Sequence, residues 1–183
     1  MNYLRMIVLL SSLISGSVLS DQEAESIAGF WVTPDGAAVV EVRQSGPEAW
    51  VIRIAALREP EFTESDRIPE LTGRPRTDIK NPEVDLRDRL LISREIGYGF
   101  DFVNGSLRNG RIYDPGSGKT YRAELKLTPG GLMEVRGFVG FSILGKTMYW
   151  FPYGQYRQRV NGMVQQIEAM HEEQESARTG IRM

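Results

Sequence analysis

The sequence predicts an all-β protein, an antiparallel barrel of about eight short strands followed by a short C-terminal helix. Three observations point there. Apolar and polar residues alternate in runs from about Gly29 to Arg159. Gly, Pro, Asn and Asp clusters punctuate those runs at short intervals. A helical spacing of apolar residues follows only past Asn161-Gly162. A closed barrel is preferred over an open sheet because closure removes exposed strand edges. About eight strands leave an interior filled by side chains or able to hold one small ligand.

The chain starts with a segment that has the three parts of a signal peptide. Met1 to Arg5 is basic, Met6 to Ile14 is apolar, and Val18-Leu19-Ser20 offers modest side chains at the −3 and −1 positions before Asp21. The apolar run is shorter than the roughly 20 residues that span a bilayer. Cleavage at Ser20/Asp21 removes 20 of 183 residues and leaves 163. It takes away Arg5 and no acid, so the formal charge moves from −2 to −3. With no cysteine to carry a lipid, the expected product has no membrane span and is periplasmic or secreted. The barrel domain is assigned to 27–159, and 160–183 to a helix and frayed tail.

Within the domain, Gly29 to Thr33 reads as a strand closed by Pro34-Asp35-Gly36, and Ala38 to Arg43 as the next. After Ser45-Gly46-Pro47, Trp50, Ile52, Ile54 and Ala56 share one face. Arg58 to Arg76 holds three prolines and many charges, and is expected to be a lid or a disordered connection. Leu86 to Arg94 fits a short helix or a strand. Tyr98 to Val103 and Arg111 to Tyr113 read as short strands separated by Asn104-Gly105 and Asn109-Gly110. Thr120 to Leu127 alternates most clearly, with Tyr121, Ala123, Leu125 and Leu127 on one side. Leu132 to Val139 and Thr147 to Gln158 complete the set. In the tail, Met163, Ile167 and Met170 form one helical stripe, with fraying expected beyond Glu172.

Composition excludes several chemistries. A mildly acidic chain lacks the concentrated basic face that nucleic acid requires. Without cysteine there are no thiolate metal sites, thiol nucleophiles or disulfides. The one histidine, His171, lies in the tail, a poor place for a catalytic base. Gly116-Ser117-Gly118-Lys119-Thr120 superficially suggests a phosphate-binding loop, but the Gly required five places before the Gly-Lys pair is Tyr113, and a strand follows where a helix is needed. Asp78, Asn81, Glu83, Asp85 and Asp88 concentrate oxygen ligands, yet their spacing is not that of a calcium loop. No cofactor and no metal is expected.

Several blocks together carry a resemblance. These are Gly29-Phe30-Trp31 with Asp35-Gly36, Asp78-x-x-Asn81-Pro82, Leu86-Arg87-x-Arg89, and above all Gly110-x-Ile112-Tyr113-Asp114-Pro115-x-Ser117-Gly118-Lys119-x-Tyr121. Val135-Arg136-Gly137-Phe138-Val139-Gly140 closes the pattern. This arrangement resembles a widespread family of exported, mostly proteobacterial proteins with no established activity, over about Ile27 to Tyr156. The resemblance implies a small lipocalin-like barrel of the cell envelope. The chain departs from the family pattern at Leu107, in the length of Arg58 to Arg76, and at Phe151-Pro152. Gly-x-Trp also resembles the lipocalin opening, in which a Trp closes one barrel end under an Arg from the last strand. That implies Trp31 with Arg157 or Arg159.

The expected function is non-enzymatic: binding of a small apolar or amphipathic ligand, or an accessory role with an envelope protein. Asp78, Asn81, Arg87, Asp114, Lys119 and Tyr121 are the expected ligand-binding residues, provided that the two motif loops meet in space. The alternatives are a structural or interaction protein with a filled barrel, and a hydrolase using carboxylates between Asp78 and Asp88.

Overall fold

The computed structural model describes residues 26–46, 49–138 and 145–180; the signal-peptide segment lies outside them. Eight antiparallel strands close into a barrel in simple sequence order. They are β1 (Gly29–Val32), β2 (Ala38–Gln44), β3 (Trp50–Leu57), β4 (Glu95–Val103), β5 (Ser106–Asp114), β6 (Lys119–Leu127), β7 (Met133–Phe138) and β8 (Gly145–Pro152). Closure is made where Trp31 and Val32 pair with Pro152 and Phe151.

Strand alternation sorts the residues as the sequence suggests. On β6, Ala123 and Leu125 are buried while Arg122, Glu124 and Lys126 are exposed. The register carries that inward row around the barrel, since Leu125 pairs with Leu107 on β5 and with Val135 on β7. The interior is therefore apolar and much of the outer wall charged. That is the reverse of a membrane barrel, whose outer band is apolar. No helix among the described residues is long and apolar enough to cross a membrane.

One end, where the β2–β3, β4–β5 and β6–β7 turns lie, is filled. Val42, Ile52, Leu107, Leu125 and Met133 are wholly buried there, together with Trp50, Phe100 and Trp150. Trp50 stacks on Phe102 with centroids 5.8 Å apart. β5 runs unbroken through Asn109-Gly110, where the sequence suggested a turn, because Gly110 makes room for an aromatic ring. A Cβ at Gly110 would stand 2.1 Å from Phe100 Cδ1. Asn109, at φ 60°, absorbs the register shift that brings Gly110 inward.

A single helical turn, α1 (Tyr153–Tyr156), follows β8, and α2 (Asn161–Gly180) packs on the outer wall. Val160, Met163 and Ile167 cover Val32, Val39, Ala55 and Ala56. Gln166 fastens the helix by donating to the Leu57 carbonyl (2.9 Å) and accepting from its amide (3.1 Å). The helix continues past Glu172, where the sequence suggested fraying, and reaches Gly180.

The Gly110–Phe100 contact makes a direct prediction. Gly110→Ala should destabilise the barrel by about 1–3 kcal/mol in urea unfolding, as overpacked cores do. Adding Phe100→Leu should recover part of the loss; equal stability of Gly110→Ala and wild type would show that the site tolerates the methyl group.

Candidate functional site

The other end of the barrel carries the β1–β2 turn, the long β3–β4 connection and the β5–β6 hairpin. Both sequence motifs fall here, and they meet. The connection folds first around Arg76. Its guanidinium forks onto Asp66, with Nη1 and Nη2 each 2.9 Å from a carboxylate oxygen. Nη2 also donates to Glu59 (3.0 Å), and Nε donates to the Glu59 carbonyl (2.8 Å). The guanidinium carbon sits 5.2 Å from the centre of the Phe62 ring. Short 3₁₀ turns at Glu64–Asp66 and Pro69–Leu71 complete the segment, so Arg58 to Arg76 is an ordered connection.

The next stretch centres on the Asp78 carboxylate, which is only 3 % exposed. The Tyr113 hydroxyl donates to Oδ1 at 2.6 Å, and Asn81 Nδ2 donates to Oδ2 at 2.7 Å. Asn81 turns the chain in its own right, since its Oδ1 accepts the Glu83 amide (2.9 Å) and its carbonyl accepts Arg87 Nε (2.7 Å). Lys80 reaches across to the hairpin and donates to the Gly116 carbonyl at 2.6 Å. Gly118 lies directly against the Lys80 backbone: at φ 69°, a Cβ there would approach the Lys80 carbonyl oxygen to 2.1 Å. Only glycine fits such a conformation and such an approach.

The hairpin is held from within. The Asp114 carboxylate accepts the Gly116 amide (2.9 Å) and the Ser117 hydroxyl (2.6 Å). The two motifs thus form one clasp, and most of the expected ligand-binding residues are occupied by it. Asp78, Asn81 and Arg87 hold the connection, and Asp114 holds the turn. Lys119 is exposed at the start of β6. Tyr121 is half-buried, and it pairs with the lumen-facing Ile112. Trp31 is buried and donates its indole N–H to the Ile27 carbonyl (3.1 Å). Arg157 does not cover it. β8 ends at Pro152, which places Arg157 in the following 3₁₀ turn, exposed and paired with Glu168 at 3.1 Å. Leu86 to Arg94 is neither a regular helix nor a strand; it holds one 3₁₀ turn ending at Leu86 and a lone bridge from Leu90 to Thr77.

Inside the clasp lies the mouth of the barrel. Leu57, Leu91, Ile112 and Met148 pack on the core but remain partly accessible. Gly137 faces the lumen opposite Ala123, and a Cβ built on it would find nothing nearer than 4.0 Å. Glu83, Asp85 and Asp88 point into solvent, and among the described residues no three acids or histidines are placed to hold a metal. A cleft of about 230 Å³ on the outer wall, between the β1–β2 turn and α1, has its polar groups engaged, with Arg58 donating to the Asp35 carbonyl.

A closed eight-stranded up-and-down barrel with a filled base is a lipocalin-type fold. A Helicobacter pylori protein, HP1028, described as belonging to the lipocalin family, has a similar structure. The TM-score is 0.56 at 18% identity, covering 72% of this chain and 87% of that one. Residues 29–151 match the family described as an uncharacterized protein conserved in bacteria (DUF2147), and the chain belongs to that family. No curated protein sequence matches it.

The clasp generates two predictions. Tyr113→Phe strips one donor from a buried carboxylate, which should cost about 1–3 kcal/mol and speed hydrogen exchange across 77–91. Burial, followed by the Asp78 hydrogen bond and charge, raises the Tyr113 hydroxyl above its usual range. The folded state therefore keeps that proton more tightly than the unfolded one. The contribution is complete below about pH 10 and is lost as pH rises through the folded value. The stability gap between wild type and Tyr113→Phe should accordingly narrow in alkaline melts; a gap that is constant with pH would show that the phenol proton plays no part. At the acid end, the Arg76 fork and the Thr63 amide lower Asp66. Exchange protection of 59–76 should be full above about pH 4 and fade as pH falls through the Asp66 folded value. Arg76→Gln should abolish that dependence.

Proposed function

We propose that the mature chain is an exported, non-enzymatic protein that holds a small apolar or amphipathic ligand in the mouth half of its barrel. The observation that carries this reading is the division of the interior. The base is packed solid, whereas the mouth is lined by half-accessible Leu57, Leu91, Ile112, Met148 and Tyr121. Ligand sites combine such apolar walls with a few polar groups. Export to the periplasm, or beyond it, follows from the amino-terminal charge and apolar pattern. A lipocalin-type fold is compatible with carriage, and the reading itself rests on the mouth residues.

A second reading, an interaction protein of the envelope, is favoured by one feature of the outer wall. Arg111 and Arg122 stand directly opposite each other on β5 and β6, with exposed Tyr98 beside Arg111 on β4. Like charges in register oppose folding, and an anionic partner would relieve them.

Native mass spectrometry of the protein purified from its own periplasm tests the first reading. It should show a bound species of a few hundred daltons, within the range that such a pocket encloses. Gly137→Leu should displace it without lowering the melting temperature. A ligand-free spectrum together with unchanged behaviour of Gly137→Leu would remove the carrier reading.

A further inference from the structure

We infer that Arg94 receives the anionic head group of the ligand, and that the ligand class is a long-chain monocarboxylate. This rests on the carrier reading above. The sequence gives Arg94 no motif, and its position emerges only from the strand register. Glu95 pairs with Arg53 on the outer wall, where Arg43 Nη2 meets Glu95 at 2.9 Å. The preceding residue therefore lies on the opposite face of the strand. The backbone agrees. Ile54 donates to the Arg94 carbonyl (2.9 Å), while Ser93 donates to the Ile54 carbonyl (2.8 Å). Ser93, at φ 63°, ends the turn that sets Arg94 across from lumen-facing Ile54.

In that place Arg94 is half-buried, and its Nε is sealed without an acceptor. Among the described residues, no carboxylate lies within ion-pair distance of its guanidinium. Arg43 Nε and Arg53 Nη2 on the outer wall are likewise sealed without an acceptor, but those two guanidiniums have counter-ions, since Arg53 meets Glu41 and Arg43 meets Glu95. A charge partly withdrawn from water on the side of lumen-facing Ile54 is unfavourable unless something pairs with it. A planar guanidinium fork matches a carboxylate in two parallel hydrogen bonds. One guanidinium balances one charge, which favours a carboxylate over a doubly charged phosphate ester. Lys119 and Lys146 stand at the rim, Lys119 directly opposite Asp114 in the register and Lys146 adding positive potential. The register places both on the lumen side, two residues before Tyr121 and opposite Gly137 respectively, and both are exposed. The lumen-facing apolar residues of the mouth suit the chain. Deeper on β8, Trp150 is 4 % exposed and its buried indole N–H has no acceptor, a second donor inside the same core.

The test is a tryptophan-fluorescence titration of the mature protein with oleate and with methyl oleate, which share a chain and differ in head charge. Wild type should bind oleate about tenfold more tightly than the ester, as a charge-assisted pair implies. Arg94→Gln should lose that preference while keeping its affinity for methyl oleate, and circular dichroism should confirm its fold. If Arg94→Gln melts below the assay temperature, Arg94→Lys decides: a several-fold loss for oleate alone supports the assignment, and unchanged oleate affinity overturns it. A wild type that binds both lipids equally overturns the role of Arg94 and leaves the carrier reading standing. A wild type that binds neither overturns both. Loss of the preference in the Lys119→Gln/Lys146→Gln double variant, with Arg94→Gln unaffected, transfers the role to the rim lysines.

Discussion

The buried carboxylate of Asp78 is the contact on which the open end of this barrel depends. A connection from Leu57 to Glu95 has no strand ladder to satisfy it and little apolar surface to bury. It is ordered because a few polar groups converge on one point 35 residues away in sequence. Tyr113 and Asn81 supply the hydrogen bonds that make a buried carboxylate tolerable. Lys80 then ties the same turn to the β5–β6 hairpin, whose Gly118 is shaped to receive it. The Asp-x-x-Asn-Pro block and the Tyr-Asp-Pro-x-Ser-Gly block are the two halves of this contact. Their chemistry is that of a fastening, which is why the expected binding residues turn out to be holding one another.

A fastened connection matters because the barrel differs between its two ends. At the base, Trp50, Phe100 and Trp150 fill the cross-section, and the positions that would overfill it are glycine. Gly97 yields to Ile52, whose side-chain carbons would lie 2.7 Å from a Cβ there, and Gly110 yields to the Phe100 ring. At the mouth Gly137 yields to nothing, and the walls stay partly accessible. The same residue type thus serves close packing at one level and leaves room at another.

Much of the barrel was legible in the sequence because period-2 alternation reports burial directly. Thr120 to Leu127 reads correctly residue by residue, and the stripe through Met163 and Ile167 marks the helix face that packs. β5 was not legible as one strand, since Asn109-Gly110 is a turn signal wherever no aromatic ring needs the space. The order of Arg58 to Arg76 was hidden for a different reason. It depends on Arg76 reaching Glu59 and Asp66, and charge-rich, proline-rich sequence looks the same whether or not such partners are found. Arg157 was misplaced because an arginine after the last strand satisfies the lipocalin pattern by order alone, whereas here β8 stops at Pro152 and the next residues turn into helix. Arg94 carried no signal at all. Its side depends on the register shift between Ile52 and Arg53, where β4 holds an extra residue between Glu95 and Gly97, and such a shift reverses the parity that alternation would assign.

That parity separates two populations of charge. Arg43 and Arg53 sit on the outer wall with Glu41 and Glu95 within the same sheet, so the chain supplies its own counter-ions. Lys80 and Arg87 point into the clasp and end on backbone carbonyls. In each case the fold itself brings the partner within reach, 12 residues away in sequence for Arg53 and 52 for Arg43. Arg94 has no such neighbour, since the lumen-facing residues nearest it in the register, Ile54, Gly97 and Ile112, are apolar or glycine. The unpaired cation thus stands on the lumen side of the same end whose apolar walls stay half-accessible, and the guest proposed above would answer both features.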